Sequence, residues 1–158
     1  MKLTNKQVER ICIGMTQLSQ DIKDGKLRLE TGTSFLVAIA KKKLIPVYEA
    51  FTETREELMD SFILRDSDGQ KKKIPAQKDS AGNVTEAEQW DLGTSKEQYA
   101  KEVKTLLLTE VEVDRLTSIK RSDFKIKRVK SPDGKTDEEG DIDPDILFLL
   151  VPWLVLED

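Results

Sequence analysis

The sequence predicts an α+β chain that is mainly α: an antiparallel helical hairpin plus a third helix, a small antiparallel β-sheet and a short C-terminal helix. Two periodicities and one length carry this. Apolar residues recur at alternating steps of three and four along two early stretches, which puts each set on one helical stripe. Later, short stretches alternate apolar and charged residues with period two, the pattern of half-buried strands. A length of 158 residues fits a single domain with one core, read as a helical hairpin over 1–64, a long loop region over 65–94, and helix, strands and C-terminal helix over 95–158.

The first helix opens at Thr4-Asn5-Lys6-Gln7, which has the form of a capping box: a hydroxyl at the N-cap and a glutamine three residues on. Val8, Ile11, Met15, Leu18 and Ile22 form its stripe, and Asp24-Gly25 ends it. A longer helix is expected over residues 34–64, with Val37, Ala40, Leu44, Val47, Phe51, Leu58 and Phe62 on one face. Pro46 lies inside it and removes a backbone donor, so a kink or break is expected there. Two such stripes joined by a short connection fold back on each other, because neither can stay wet.

Between residues 65 and 94 the periodicity stops and turn signals crowd together: Asp66-Ser67-Asp68-Gly69, Ile74-Pro75, Ser80-Ala81-Gly82-Asn83 and Leu92-Gly93. A small hairpin around Gly82-Asn83, with Ile74 and Val84 on its arms, is the only regular structure expected in it. Thr94 or Ser95 caps a third helix carrying Tyr99, Val103, Leu106 and Leu107 on its apolar side. Val111, Val113 and Leu116, then Phe124, Ile126 and Val129, mark two strands. Ser131-Pro132-Asp133-Gly134 is a turn signal, and Asp143-Pro144 is the start of a terminal helix reaching about Leu156. Trp153 reads as core. No internal repeat is evident.

Composition excludes more than it supplies. There is no histidine, which removes histidine-based nucleophile pairs and every histidine-bearing zinc site. The single cysteine, Cys12, can form neither an internal disulfide nor a multi-thiolate centre, so the chain reads as reduced, intracellular and cytoplasmic. No phosphate-cradling glycine loop is present, and no stretch is apolar for long enough to span a bilayer. Asp141, Asp143 and Asp145 resemble the start of a calcium loop, but Ile146 stands where glycine is required and Pro152 where the bidentate glutamate belongs. The expectation is a protein that is not an enzyme and holds no cofactor or metal.

The informative feature is a charge reversal. Residues 115–130 carry seven basic residues and one acid, whereas residues 131–158 carry nine acids and one lysine. The plain reading is mutual neutralisation of neighbouring segments. Two functional readings stand beside it. Lys120, Arg121, Lys125, Lys127, Arg128 and Lys130, with Phe124 for stacking, suit nucleic acid. Asp137, Glu138, Glu139 and Asp141 suit a basic protein surface or imitate phosphate. Trp90, in the long loop region, is a candidate interface anchor.

Several short phrases also resemble a known family. They are Met1-Lys2-Leu3-Thr4-Asn5-Lys6-Gln7 at the first helix, Val47-Tyr48-Glu49-Ala50-Phe51 and Arg55-Glu56-Glu57-Leu58 on the second, Glu110-Val111-Glu112-Val113, and Asp143-Pro144-Asp145 before an apolar end. Their layout resembles the small proteins of tailed phages and prophages of Gram-positive bacteria grouped as domain of unknown function 1617. The 65–94 region and the acidic stretch near 131–141 are where the likeness is least. The resemblance implies a phage origin and no transferable catalytic residue. It points to a protein that binds and redirects a host (defence) protein in the host-cell cytoplasm, or to a tail, neck or assembly component with a virion location. The basic 115–130 segment, independently of the resemblance, leaves an accessory nucleic-acid-binding protein as a further alternative.

Overall fold

The computed structural model describes residues 1–114, 116, 119–120, 126–128, 138–140 and 144–155. The chain divides into two compact units, Met1–Phe51 with Leu107–Asp158, and Thr52–Leu106. The class is α+β and mainly α, as the periodicities require.

In the first unit, β1 (Lys2–Thr4) runs straight into α1 (Asn5–Lys23). The capping box is complete: the Gln7 amide donates to Thr4 Oγ1 at 3.3 Å, and the Thr4 amide donates to Gln7 Oε1 at 2.8 Å. Asp24 caps the far end and Gly25 follows at φ +71°, the left-handed turn that ends a helix. Val8, Ile11, Met15 and Leu18 are buried on the stripe, while Ile22 in the last turn is exposed.

A short strand β2 (Leu27–Leu29) occupies the connection, and α2 (Thr31–Phe62) begins three residues earlier than its spacing suggested. The helix continues through Pro46 without a break. Ser19, late in α1, accepts a hydrogen bond from Lys41 Nζ at 3.2 Å, and Cys12 shares a pocket with Tyr48, so α1 and α2 run antiparallel as the hairpin requires. Val37, Ala40, Leu44 and Phe51 are buried on the α2 stripe.

The helix packed most closely against α1 is a different one, the short α4 (Pro144–Leu150). Gly14 permits it. A Cβ on Gly14 would stand 2.9 Å from Leu149 Cβ and 3.0 Å from Leu150 Cδ2, so the helix accepts the roughly 1 kcal/mol conformational penalty of an interior glycine in exchange for close approach. α4 stops at Leu150 instead of reaching Leu156, because Pro152 offers no amide and its ring disfavours helical geometry at Val151. Val151–Trp153 form a turn that drives Trp153 into the core at 1% exposure.

The strands fall into separate small sheets. β7 (Glu110–Glu112), following α3 (Lys96–Leu108), pairs antiparallel with β1, and Val113 and Leu116 bury their side chains beyond it. β8 (Ile119–Lys120) pairs in parallel with β11 (Leu154–Val155). β9 (Ile126–Arg128) is the middle strand of a three-stranded antiparallel sheet between β2 and β10 (Glu138–Gly140). The two strands read from residues 110–130 therefore find their partners elsewhere in the chain, at the N-terminal segment and the helix connection. Sequence spacing alone carries no information on that.

The second unit contains the distal part of α2, the 65–94 region and most of α3. That region is a two-stranded β-ribbon. β3 (Lys73–Ile74) pairs with β6 (Gln89–Trp90), and β4 (Gln77–Lys78) pairs with β5 (Val84–Glu86). The expected hairpin is its tip; the ribbon extends well below it. One turn of 3₁₀-helix (Gly93–Ser95) leads into α3, and Phe62 meets Tyr99 edge to face with ring centroids 5.8 Å apart.

Candidate functional site

The second unit holds a groove of about 420 Å³ lined by Arg55, Glu56, Met59, Asp60, Ile63, Lys71, Trp90 and Tyr99. Three sequence devices assemble it. Positions 55, 56, 59 and 60 recur at helical spacing, so the last turns of α2 present them on one side, and Ile63 follows directly after its end. Lys73 lies directly opposite Trp90 in the ladder, and Lys71, two residues earlier and bridged to Arg65, reaches the same indole. The third device is the return of the chain: Gly93 at φ +52° makes the corner from ribbon to α3, with its amide donated to Asp91 Oδ1 at 2.9 Å. A Cβ there would stand 2.9 Å from Leu64 Cδ1, so the corner is tight as well as left-handed. Asp91, not the expected Thr94 or Ser95 hydroxyl, supplies the side-chain acceptor at this entry.

The ribbon is shaped by one turn used twice. In Asp66-Ser67-Asp68-Gly69-Gln70, Asp66 Oδ1 accepts the amides of Asp68 and Gln70 at 3.0 and 2.8 Å, and Gly69 sits at φ +79°. In Asp79-Ser80-Ala81-Gly82-Asn83, Asp79 Oδ1 accepts the amides of Ala81 and Asn83 at 2.9 and 2.8 Å, and Gly82 sits at φ +85°. The Asn83 side chain and these amides hold the Asp79 carboxyl below its ordinary pKa. The Asp-Ser-x-Gly repeat, 13 residues apart, is legible in the sequence once a turn is treated as a repeating unit.

The first of these turns folds Lys71 back across Arg65 and brings both cations to one carboxylate. Arg65 Nη2 lies 3.0 Å from Asp60 Oδ2, and Lys71 Nζ meets Oδ1, an oxygen withdrawn from solvent. The hydrogen bond from Lys71, with smaller contributions from the Lys71 and Arg65 charges, lowers the Asp60 pKa against a desolvation effect in the other direction. Lys71 Nζ is also 5.9 Å from the Trp90 ring centroid, and Lys73 Nζ is 4.8 Å from it while pairing with Glu88 Oε1 at 3.2 Å. Trp90 itself is 38% exposed. The arrangement is an indole flanked by cations at the edge of an apolar trough, with Asp60 fixed in its charged form.

The candidates named from sequence divide between the units. Trp90 stands in this groove. Lys120 ends β8 in the other unit and is exposed. Lys127 and Arg128 lie on β9, at register positions opposite Glu139 and Glu138 of β10 on one side and opposite Arg28 and Leu27 of β2 on the other. Arg121, Phe124, Lys125, Asp137 and Asp141 lie outside the described residues, as do Asp143 and the turn at 131–134. Sequence reasoning missed Asp60, Met59, Tyr99 and the two lysines beside Trp90. Lys71-Lys72-Lys73 reads as ordinary solvated surface until the ladder sets Lys73 against Trp90.

The first unit has a smaller pocket of about 230 Å³ lined by Cys12, Met15, Thr16, Lys41, Ile45, Tyr48 and Glu49. Burial pushes the Cys12 thiol up to about 11, with the Lys41 charge opposing in part, so it is protonated and unreactive at neutral pH. No helix among the described residues is long and apolar enough to cross a membrane. No family model, curated protein or solved structure matches the chain.

Proposed function

We propose that this chain is a non-enzymatic protein-binding protein that engages its partner through the groove of the second unit, with Trp90 as the anchor. The observation that carries the reading is a half-exposed indole at the rim of a trough walled by Met59, Ile63 and Tyr99, on a unit that buries little else. Aromatic residues in such settings dominate binding energy at protein interfaces. The chemistry of the chain supports the non-enzymatic part: it has no histidine, its thiol is protonated, and the groove carboxylate is pinned in its ionised state.

Taken with the resemblance in the sequence, the reading is of a phage-encoded protein acting in the host cytoplasm on a host protein, a defence protein among the candidates. A tail, neck or assembly component is the alternative within the same class. An accessory nucleic-acid role through residues 115–130 is the further alternative, resting on their basic charge. The test is affinity capture from uninfected and infected Gram-positive host lysates with the intact protein and with Trp90→Ala. A partner retained by the first and lost by the second, at unchanged melting temperature, is expected. Retention of the same partner by Trp90→Ala overturns the groove as the binding surface, and capture of virion proteins alone removes the host target.

A further inference from the structure

Resting on that reading, we infer that the groove takes an acidic peptide segment, one carboxylate beside an aliphatic or aromatic side chain. The apolar part follows from the walls: Met59, Ile63, Tyr99 and the indole of Trp90 offer a surface that only an apolar side chain fills without loss of hydration. The charged part follows from the ion pairs. Asp60 serves two cations, Arg65 and Lys71, so this triad carries an unbalanced positive charge, and Lys73 adds a second ammonium on the same indole. A single carboxylate entering beside Lys71 and Lys73 extends the alternation of signs.

The alternatives fit less well. A partner lysine or arginine would approach an indole whose cation-binding surface Lys71 and Lys73 already use. A nucleic-acid backbone would bring successive phosphates up to Glu56, Asp60 and Glu88, and Asp60 cannot relieve the repulsion by taking a proton because its pKa is lowered. A short acidic segment satisfies the cations without facing those carboxylates repeatedly.

The experiment is a selection of nine-residue random peptides on the intact protein, with clones retained by Trp90→Ala discarded. Binding of the selected peptides is then followed by the indole N–H resonances. The chain has two tryptophans, and Trp153, at 1% exposure in the other unit, is the internal control. The expected result is enrichment of Asp or Glu next to Leu, Phe or Trp, movement of the Trp90 resonance with Trp153 still, and affinity that weakens with salt. Lys73→Glu, which leaves the Asp60 cluster in place, is expected to weaken binding about tenfold. Selected peptides that are neutral or basic, or that bind equally well to Lys73→Glu, overturn the inference while leaving a Trp90-dependent groove standing. Failure to recover any Trp90-dependent peptide, or tighter binding of a thymidine oligonucleotide than of any peptide, overturns it too. Loss of Trp90 dependence for the captured partner is the separate failure of the underlying reading.

Discussion

The two units of this chain are held together by different physics. Among the described residues, all the buried apolar ones but Ile63 belong to the first unit. There Trp153, Leu150, Leu44, Val8, Ile11, Met15 and Leu18 close a single core in which direction matters little and area matters most. The second unit has scarcely any interior: from Leu64 to Trp90 every residue is exposed. Its shape rests on directed contacts, namely the two aspartate turns, the Asp60 cluster and the edge-to-face pair of Phe62 and Tyr99. Solvent-exposed ion pairs of this kind contribute little stability each, so their work is positional. The difference teaches that apolar burial and directed polar contacts are placed in separate parts of the chain.

The two tryptophans give the sharpest test. Trp153→Ala opens a cavity in a close-packed core and is expected to cost about 3–5 kcal/mol, whereas Trp90→Ala should change stability by no more than roughly 0.5 kcal/mol. Denaturant unfolding of both variants checks this. Comparable losses would show that the ribbon contributes to the core after all.

Next in size is Gly14→Val. It is expected to destabilise by about 1–3 kcal/mol, because the first branch atom meets Leu149 and Leu150 and must push α4 away from α1. Gly14→Ala draws the same clash against a gain in helix propensity and should cost less. A stabilised Gly14→Ala would mean that α4 yields freely and that the first unit is less tightly packed than its burial suggests.

How much of this was legible beforehand follows from which interactions are local. The capping box at Thr4 and Gln7, the stripes of α1 and α2, the burial of Trp153 and the tip at Gly82 all depend on residues within one or two turns of each other, and the sequence displays them. Pro46 was legible as a lost donor, but a long helix tolerated it. The end of α4 was misjudged because apolar spacing continued past Pro152, and the backbone constraint prevailed over the stripe. Strand partners were not legible: Leu3 against Val111 and Arg28 against Lys127 join segments about a hundred residues apart. The candidate site was half legible, Trp90 as an exposed aromatic, but not the cations that the Asp66 turn folds onto Asp60.

Smaller again are substitutions at the turn glycines. Gly69→Ala or Gly82→Ala places a Cβ at positive φ and is expected to cost about 1–2 kcal/mol of local strain, although nothing crowds either position. The loss should appear as faster amide exchange confined to the ribbon, with the core amides of α1 unchanged. Exchange that accelerates throughout both units would show that the ribbon and the core unfold together.

The smallest expected effect is in acid, and it separates the two kinds of structure without any substitution. Asp60 is lowered first by its hydrogen bond from Lys71, and Asp79 first by the side chain of Asn83, each from an ordinary value of 3.8. A carboxyl whose pKa is lower folded than unfolded contributes stability that is complete above the unfolded value and disappears as pH falls through the folded one. Both groups lie in the second unit, so below pH 3.8 the ribbon should loosen first. The Trp90 indole resonance should shift in that range while Trp153 holds its position. High salt should shrink the Asp60 contribution, whose hydrogen-bond partner Lys71 and neighbour Arg65 are both charged, and leave that of Asp79, which comes largely from short neutral hydrogen bonds within one turn. Asp60→Asn should remove the salt-sensitive part alone. A Trp153 shift that precedes that of Trp90 would reverse the assignment, making the core the acid-labile part and the ribbon the robust one.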